Sequence, residues 1–263
     1  MEYFDALYYP YPSRRMLVYG QNGMVAASHP LAVQAGLRVL QQGGNAVDAA
    51  LAVAAALTVV DPSNNGIGGD CFAIVSMDQK LYGLNASGFS PALMTPEAIA
   101  QSGHESVPLL GWLPVTVPGA PAGWAALSER FGRLPMARAF APAIALAEGY
   151  PLSPGNAGVL NKNTPRFEAA GLPELTPWLN LYNPARRTFR PGERLAVPEM
   201  GRSLRLIAET GARALYGGEL AERIDAHARA TGGLIRGEDL SAYSPLWVDP
   251  ISANYHGFDV YEL

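Results

Sequence analysis

From Ala46 to Val59 the chain is alanine, valine and leucine, apart from Asp48 and Thr58. A helix drawn through these residues has no polar face beyond its first turn, and such a helix is predicted to be buried on every side. Its many alanines let neighbouring elements approach closely. Asn45 is placed to cap it, and Asp48 puts a negative charge near the positive end of the helix dipole. Asp61-Pro62 ends it. The apolar run from Ala49 to Val60 is too short to cross a membrane as a helix. The rest of the fold must therefore be built around a buried, soluble-type helix.

The segments on either side follow from this helix. Met24 to Ser28 reads as a short buried strand, with Ser28 placed to cap a helix that opens at Pro30 and stops at Gly43-Gly44. After Pro62, Ser63-Asn64-Asn65-Gly66-Ile67-Gly68-Gly69 is turn chemistry. Cys71 to Met77 and Leu81 to Ala86 then form a hairpin about Asp78-Gln79. A capped helix is predicted at Thr95-Pro96-Glu97. Further helices are expected over Gly119–Phe131, Met136–Glu148, Met200–Thr210 and Gly218–Ala230. Prolines crowd the stretch from Pro151 to Pro198, which reads as irregular chain wrapped over the surface. Glu238-Asp239-Leu240 starts a short turn, and Leu246 to Leu263 reads as two strands around Tyr255-His256-Gly257. The sequence stops inside the second of these, which is the expectation for a piece of a larger protein.

Composition narrows the function. Apolar residues make up 49% of the 263 and charged residues 16%, with a net charge of −4. The basic residues cluster no further than the pairs Arg14-Arg15 and Arg186-Arg187, so no nucleic-acid footprint is expected. A single cysteine, Cys71, rules out an internal disulfide framework, and the four histidines lack metal-ligand spacing. No metal or other cofactor is expected. Residues 1–22 are aromatic and proline-punctuated, and read as an arm laid over a surface. They contain no apolar core of the secretory kind, which gives the expectation of a cytoplasmic protein without a membrane partner.

Few residues offer chemistry. Gly66-Ile67-Gly68-Gly69 resembles a nucleotide loop in composition, but a helix precedes it and a strand follows, the reverse of the dinucleotide-binding order. His29 and His256 lie beside Ser28 and Tyr255 with no nucleophile elbow nearby. Cys71, in an apolar strand, reads as an inert thiol. Asp70 is either a functional acid or a turn-stabilising one. The residues alone give an α/β core of enzyme type without a complete catalytic set.

A set of motifs in order along residues 23–263 goes further. It comprises Gly43-Gly44-Asn45-Ala46-Val47-Asp48-Ala49-Ala50, Asn65-Gly66-Ile67-Gly68-Gly69, Val117-Pro118-Gly119 with Gly123, Tyr150-Pro151-Leu152, Gly232-Gly233-Leu234-Ile235 with Glu238-Asp239-Leu240, and Tyr255 to Tyr261. Together they resemble the large subunit of the γ-glutamyltranspeptidase family. The resemblance implies an N-terminal-nucleophile hydrolase, a four-layer αββα sandwich completed by a small subunit cut from the same precursor. Residues 23–263 are then the large-subunit portion of one such domain, and a dimer of the two-chain units is the larger assembly allowed. The catalytic nucleophile is the small subunit's N-terminal Thr, acting through an acyl-enzyme with its own amino group as base. No catalytic residue is expected in this chain.

The sequence departs from the family at the end of the return strand. Family transpeptidases carry an Arg-Glu pair there, and the Arg grips the α-carboxylate of the glutamyl donor. Ser87 and Gly88 stand at those positions, after Asn85, so Asn85, Ser87 and Gly88 are the expected substrate-binding residues. Loss of a charge-assisted Arg–carboxylate contact costs about 1.5–3 kcal/mol, or one to two orders of magnitude in affinity. Branches without this Arg resemble amide hydrolases acting on small acid amides. Hydrolysis of oxamate to oxalate and ammonia is the leading expectation. The alternatives are a γ-glutamyl hydrolase or transpeptidase acting on glutathione, a cephalosporin or glutaryl acylase, and a non-catalytic relative.

Overall fold

The computed structural model describes residues 17–263. Most of the expected arm, residues 1–16, lies outside the described residues; residues 17–22 are exposed and form no regular element. Met24 to Ser28 is not a strand. The segment is irregular and mostly exposed, and no strand among the described residues pairs with it.

Helix α1 (Pro30–Gln41) is capped by His29 rather than Ser28: the His29 Nδ1 accepts the Leu31 N–H at 3.2 Å. Ser28 is engaged elsewhere, its hydroxyl lying 3.4 Å from the Asp61 carboxylate. Helix α2 (Ala46–Val60) is the apolar helix, and it opens in a capping box between Asn45 and Asp48. It packs between α1 and a later helix, α5 (Met136–Ala147). The expectation of burial on every side fails along one stripe: Ala46 and Ala50 are exposed, Ala54 and Leu57 half-buried. These residues recur every three or four positions and so share the face turned away from the α1 and α5 packing.

Strands β1 (Cys71–Met77) and β2 (Lys80–Ala86) form the expected hairpin. Asp78 and Gln79 both have positive φ, as a two-residue turn of this twist requires. Side chains alternate along β1. Cys71, Ala73, Val75 and Met77 are half-buried, while Phe72 and Ile74 face outward with 52% and 42% of their surface exposed. Helices therefore cover one face of the sheet and leave the other open.

The remaining helices are α3 (Pro96–Gln101), α4 (Ala120–Phe131) and α5 (Met136–Ala147), followed by strand β3 (Tyr150–Pro151). Next come α6 (Pro154–Ala170), α7 (Thr176–Tyr182) and strand β4 (Arg194–Leu195), which pairs with β3. The chain continues through α8 (Pro198–Thr210), α9 (Arg213–Gly217), α10 (Glu219–Thr231) and α11 (Gly237–Ser241). The stretch expected to be irregular thus contains α6, a helix of 17 residues. Amide side chains fix it in place alongside the buried Ala157 and Leu160. Asn156 donates to the Val60 carbonyl, and Asn161 both donates to and accepts from the Phe189 backbone.

The C-terminal stretch holds three strands, not two. Strand β5 (Leu246–Val248) pairs with β2 and gives a sheet of order β1-β2-β5. Strands β6 (Ile251–Tyr255) and β7 (Phe258–Glu262) form a separate hairpin whose residues are all exposed. Arg130 of α4 lies 4.6 Å and 4.2 Å from the ring centres of Tyr82 and Trp247, joining α4 to both β2 and β5 through cation–π contact. Among the described residues no helix is long and apolar enough to cross a membrane.

Candidate substrate rim at the hairpin end

The glycine turn serves α4. The Gly69 carbonyl accepts the N–H groups of Gly119 and Ala120 at 2.8 and 3.0 Å, supplying the cap that Gly119 has no side chain to provide. Upstream, Asp61 is buried and orders the turn by accepting from Asn64 at 3.0 Å and Asn65 at 3.2 Å. Within the loop the Gly69 N–H donates to the Gly66 carbonyl at 3.4 Å, and Gly66, Gly68 and Gly69 are exposed.

Ala86 ends β2 against the same region, and the next six residues are held at several points. The Ser87 N–H donates to the Asn85 Oδ1 at 3.0 Å, a side-chain turn that brings two of the expected site residues together. Gly88 has φ 76°, and a β-carbon there would overlap the Val117 carbonyl oxygen. Gly119 faces the same constraint from the Ala86 carbonyl. Farther on, the Phe89 carbonyl accepts from Val117 at 2.9 Å, and the Ala92 N–H donates to Asp239 at 2.9 Å. Asp239 also accepts from the Arg236 N–H at 2.8 Å. Ser87 is exposed, Asn85 and Gly88 half-buried. The hairpin end is thus a constrained backbone presenting a hydroxyl, with no cationic side chain from Asn85 to Ala92.

Three aromatic residues surround this end. Tyr243 lies 5.6 Å from Tyr216 in a stacked arrangement, and 5.7 Å from Phe89 in a tilted one. Burial raises the pKa of both tyrosines, so both are neutral hydroxyl donors at ordinary pH. Phe89 stands next to Ser87-Gly88 in the sequence and is legible from there. Tyr216 and Tyr243 carry no local signal, since they arrive from more than a hundred residues away in sequence.

Of the other candidates, Cys71 lies at this end, paired with Ala86 and next to Asp70, while the two histidines sit on other elements. Cys71 is half-buried, and burial with the neighbouring Asp70 charge pushes its thiol up to about 11. Asp70 itself is exposed. His29 is occupied as a helix cap, and His256 sits in the turn of the exposed β6–β7 hairpin.

Comparison with known proteins resolves what this half-open sheet and constrained hairpin end belong to. Residues 32–263 match the family described as Gamma-glutamyltranspeptidase. The chain belongs to that family. It is 36% identical over 252 residues to the glutathione hydrolase-like YwrD proenzyme of Bacillus subtilis, covering 93% of this chain and 46% of that protein. The fold superposes with a TM-score of 0.92 on cephalosporin acylase from Bacillus halodurans, at 47% identity, covering 98% of this chain and 49% of that one. For the γ-glutamyltranspeptidase of Helicobacter pylori the TM-score is 0.86 at 29% identity, covering 94% and 71%. The chain spans about half the length of the curated relatives it matches. The mixed α/β fold is that of this family's N-terminal-nucleophile hydrolases, and the chain corresponds to its large-subunit part.

Proposed function

We propose that the assembled protein is an amide hydrolase, acting through an acyl-enzyme on the N-terminal Thr of a small subunit cut from the same precursor. Asn85, Ser87 and Gly88 form the rim of its acyl pocket. The observation that carries this reading is Ser87: it stands exposed at the hairpin end, on a backbone that neighbouring carbonyls hold closed at Gly88. A serine hydroxyl there offers one hydrogen bond and no charge, which favours acyl groups that need no cation for an α-carboxylate. Donors of the γ-glutamyl type are disfavoured.

Within that class Phe89 favours an acylase over an oxamate hydrolase. Oxamate has no apolar body to set against an exposed phenyl ring. The 47% identity to the cephalosporin acylase of Bacillus halodurans supports the same side of the family. Oxamate remains the smallest substrate of the class and belongs in the test.

The precursor containing this chain is expressed whole and the processed protein purified. The expected result is a second chain beginning with Thr, and release of amine from valeryl-p-nitroanilide, whose acyl chain has the same length but no carboxylate, at a kcat/KM at least about tenfold above that for γ-glutamyl-p-nitroanilide. Ammonia release from oxamate as the faster reaction would return the assignment to the small acid amides. Preference for the γ-glutamyl compound, accelerated by a dipeptide acceptor, would establish a transpeptidase instead.

A further inference from the structure

Gly88 and Gly119 leave a notch at the hairpin end, and the Tyr243 hydroxyl sits in it. A β-carbon on Gly119 would lie 2.8 Å from that oxygen. Behind Tyr243, the stacked Tyr216 is fixed at its own hydroxyl, which donates to the Pro118 carbonyl at 2.6 Å and accepts the Ala122 N–H at 3.1 Å. In front of Tyr243 lies the ring of Phe89, which keeps 44% of its surface exposed. The backbone of Phe89 is tied down by Val117, and that of Ala92, three residues on, by Asp239. An apolar ring held this way has little freedom left to lose on meeting a ligand.

We infer that Phe89, backed by Tyr243 and Tyr216, is a specificity-determining residue, forming an apolar wall beside Ser87 that selects amides whose acyl group carries an aryl body. The inference rests on the reading of Ser87 as the rim of the acyl pocket. It adds to that reading the chemical class the pocket prefers. Tyr243 and Tyr216 act as positioning residues: they support the wall and need not touch the substrate. The wall also accounts for the pair of glycines. A side chain at Gly88 would meet the Val117 carbonyl, and one at Gly119 the Ala86 carbonyl and the Tyr243 hydroxyl, so the notch stays closed only with both positions bare.

The test uses the processed two-subunit protein with phenylacetyl- and acetyl-p-nitroanilide. The two share a leaving group and differ only in the body of the acyl group. Phe89→Ala is expected to lower the preference for the phenylacetyl compound about tenfold, through KM rather than kcat, while the acetyl compound stays within about twofold. Phe89→Leu keeps an apolar wall and is expected to retain most of the preference. An equal fall on both substrates, no change on either, or loss of precursor cleavage in Phe89→Ala overturns the inference; the last result would make Phe89 a subunit contact. If the wild type cleaves neither anilide, the amide-hydrolase reading is what has failed, and the wall is read separately by calorimetry with phenylacetate. Binding weakened about tenfold in Phe89→Ala then supports the wall, and equal or absent binding overturns it.

Discussion

Asp48 reaches from the first turn of α2 to the backbone of Arg133, whose N–H lies 3.2 and 3.1 Å from its two carboxylate oxygens. The same carboxylate accepts from Leu134 at 3.3 Å and from Asn45 at 2.9 Å, and it is fully buried. The sequence presented Asp48 as a helix-dipole residue. Its larger role is to fasten the α4–α5 connection to the central helix. Removing it leaves three backbone donors without an acceptor, and an unsatisfied buried donor costs about 1–3 kcal/mol. Asp48→Ala is therefore expected to destabilise the processed protein by at least about 3 kcal/mol, and Asp48→Asn, which keeps one acceptor oxygen, by about half as much. Thermal unfolding of the two variants should show that order. Equal melting temperatures for wild type and Asp48→Ala would refute it.

Two glycines of the family motifs should respond in opposite ways to the same change. A β-carbon on Gly119 meets backbone and the Tyr243 hydroxyl, whereas one on Gly68 meets nothing within 4 Å. Gly119→Ala is expected to cost about 1–3 kcal/mol through overpacking. Gly68→Ala should stay within about 0.5 kcal/mol. A Gly68→Ala variant as damaged as Gly119→Ala would mean that the turn meets something beyond this chain, such as the small subunit.

Cys71 should be slow to alkylate. Its thiol is raised from 9.0 to about 11, mainly by burial and secondarily by Asp70. At pH 8 the reactive thiolate is then about a hundredfold scarcer than for an unperturbed thiol, and iodoacetamide labelling should be slower by a similar factor. The sign for stability follows. The folded state favours the neutral thiol, so this contribution is present below pH 9 and is lost as pH rises from there towards 11. Labelling at the rate of a free thiol at pH 8 would contradict the burial of Cys71.

What could be read from the sequence was local. Asn45 and Asp48 announced the start of α2, Asp78-Gln79 the hairpin, and Gly66 to Gly69 a turn between helix and strand, because each depends on residues within a few positions. Helix α6 was missed because it contains Pro165 and buries only a narrow apolar strip, Ala157 and Leu160, beside the amides of Asn156 and Asn161. The open stripe on α2 was missed because an all-apolar helix does not reveal which of its sides is covered. At the hairpin end, Ser87 could be located from its strand and from the family motif. Tyr216 and Tyr243 could not, since only the folded chain brings them to Phe89.

Ser87→Arg tests the specificity argument from the side of charge. Ser87 is exposed, so an arginine can be accommodated there without displacing core. The matching change at the next position is closed: Gly88→Glu would place a side chain at φ 76° and against the Val117 carbonyl. The charge can thus be restored alone but the family's Arg-Glu pair cannot. A charge-assisted contact to an α-carboxylate is worth about 1.5–3 kcal/mol, which predicts a ten- to hundredfold lower KM for γ-glutamyl-p-nitroanilide in Ser87→Arg. Acetyl-p-nitroanilide has no carboxylate and should be unaffected, and Ser87→Ala should change the γ-glutamyl KM little. A Ser87→Arg protein that is processed normally but shows an unchanged γ-glutamyl KM would place the carboxylate site away from Ser87.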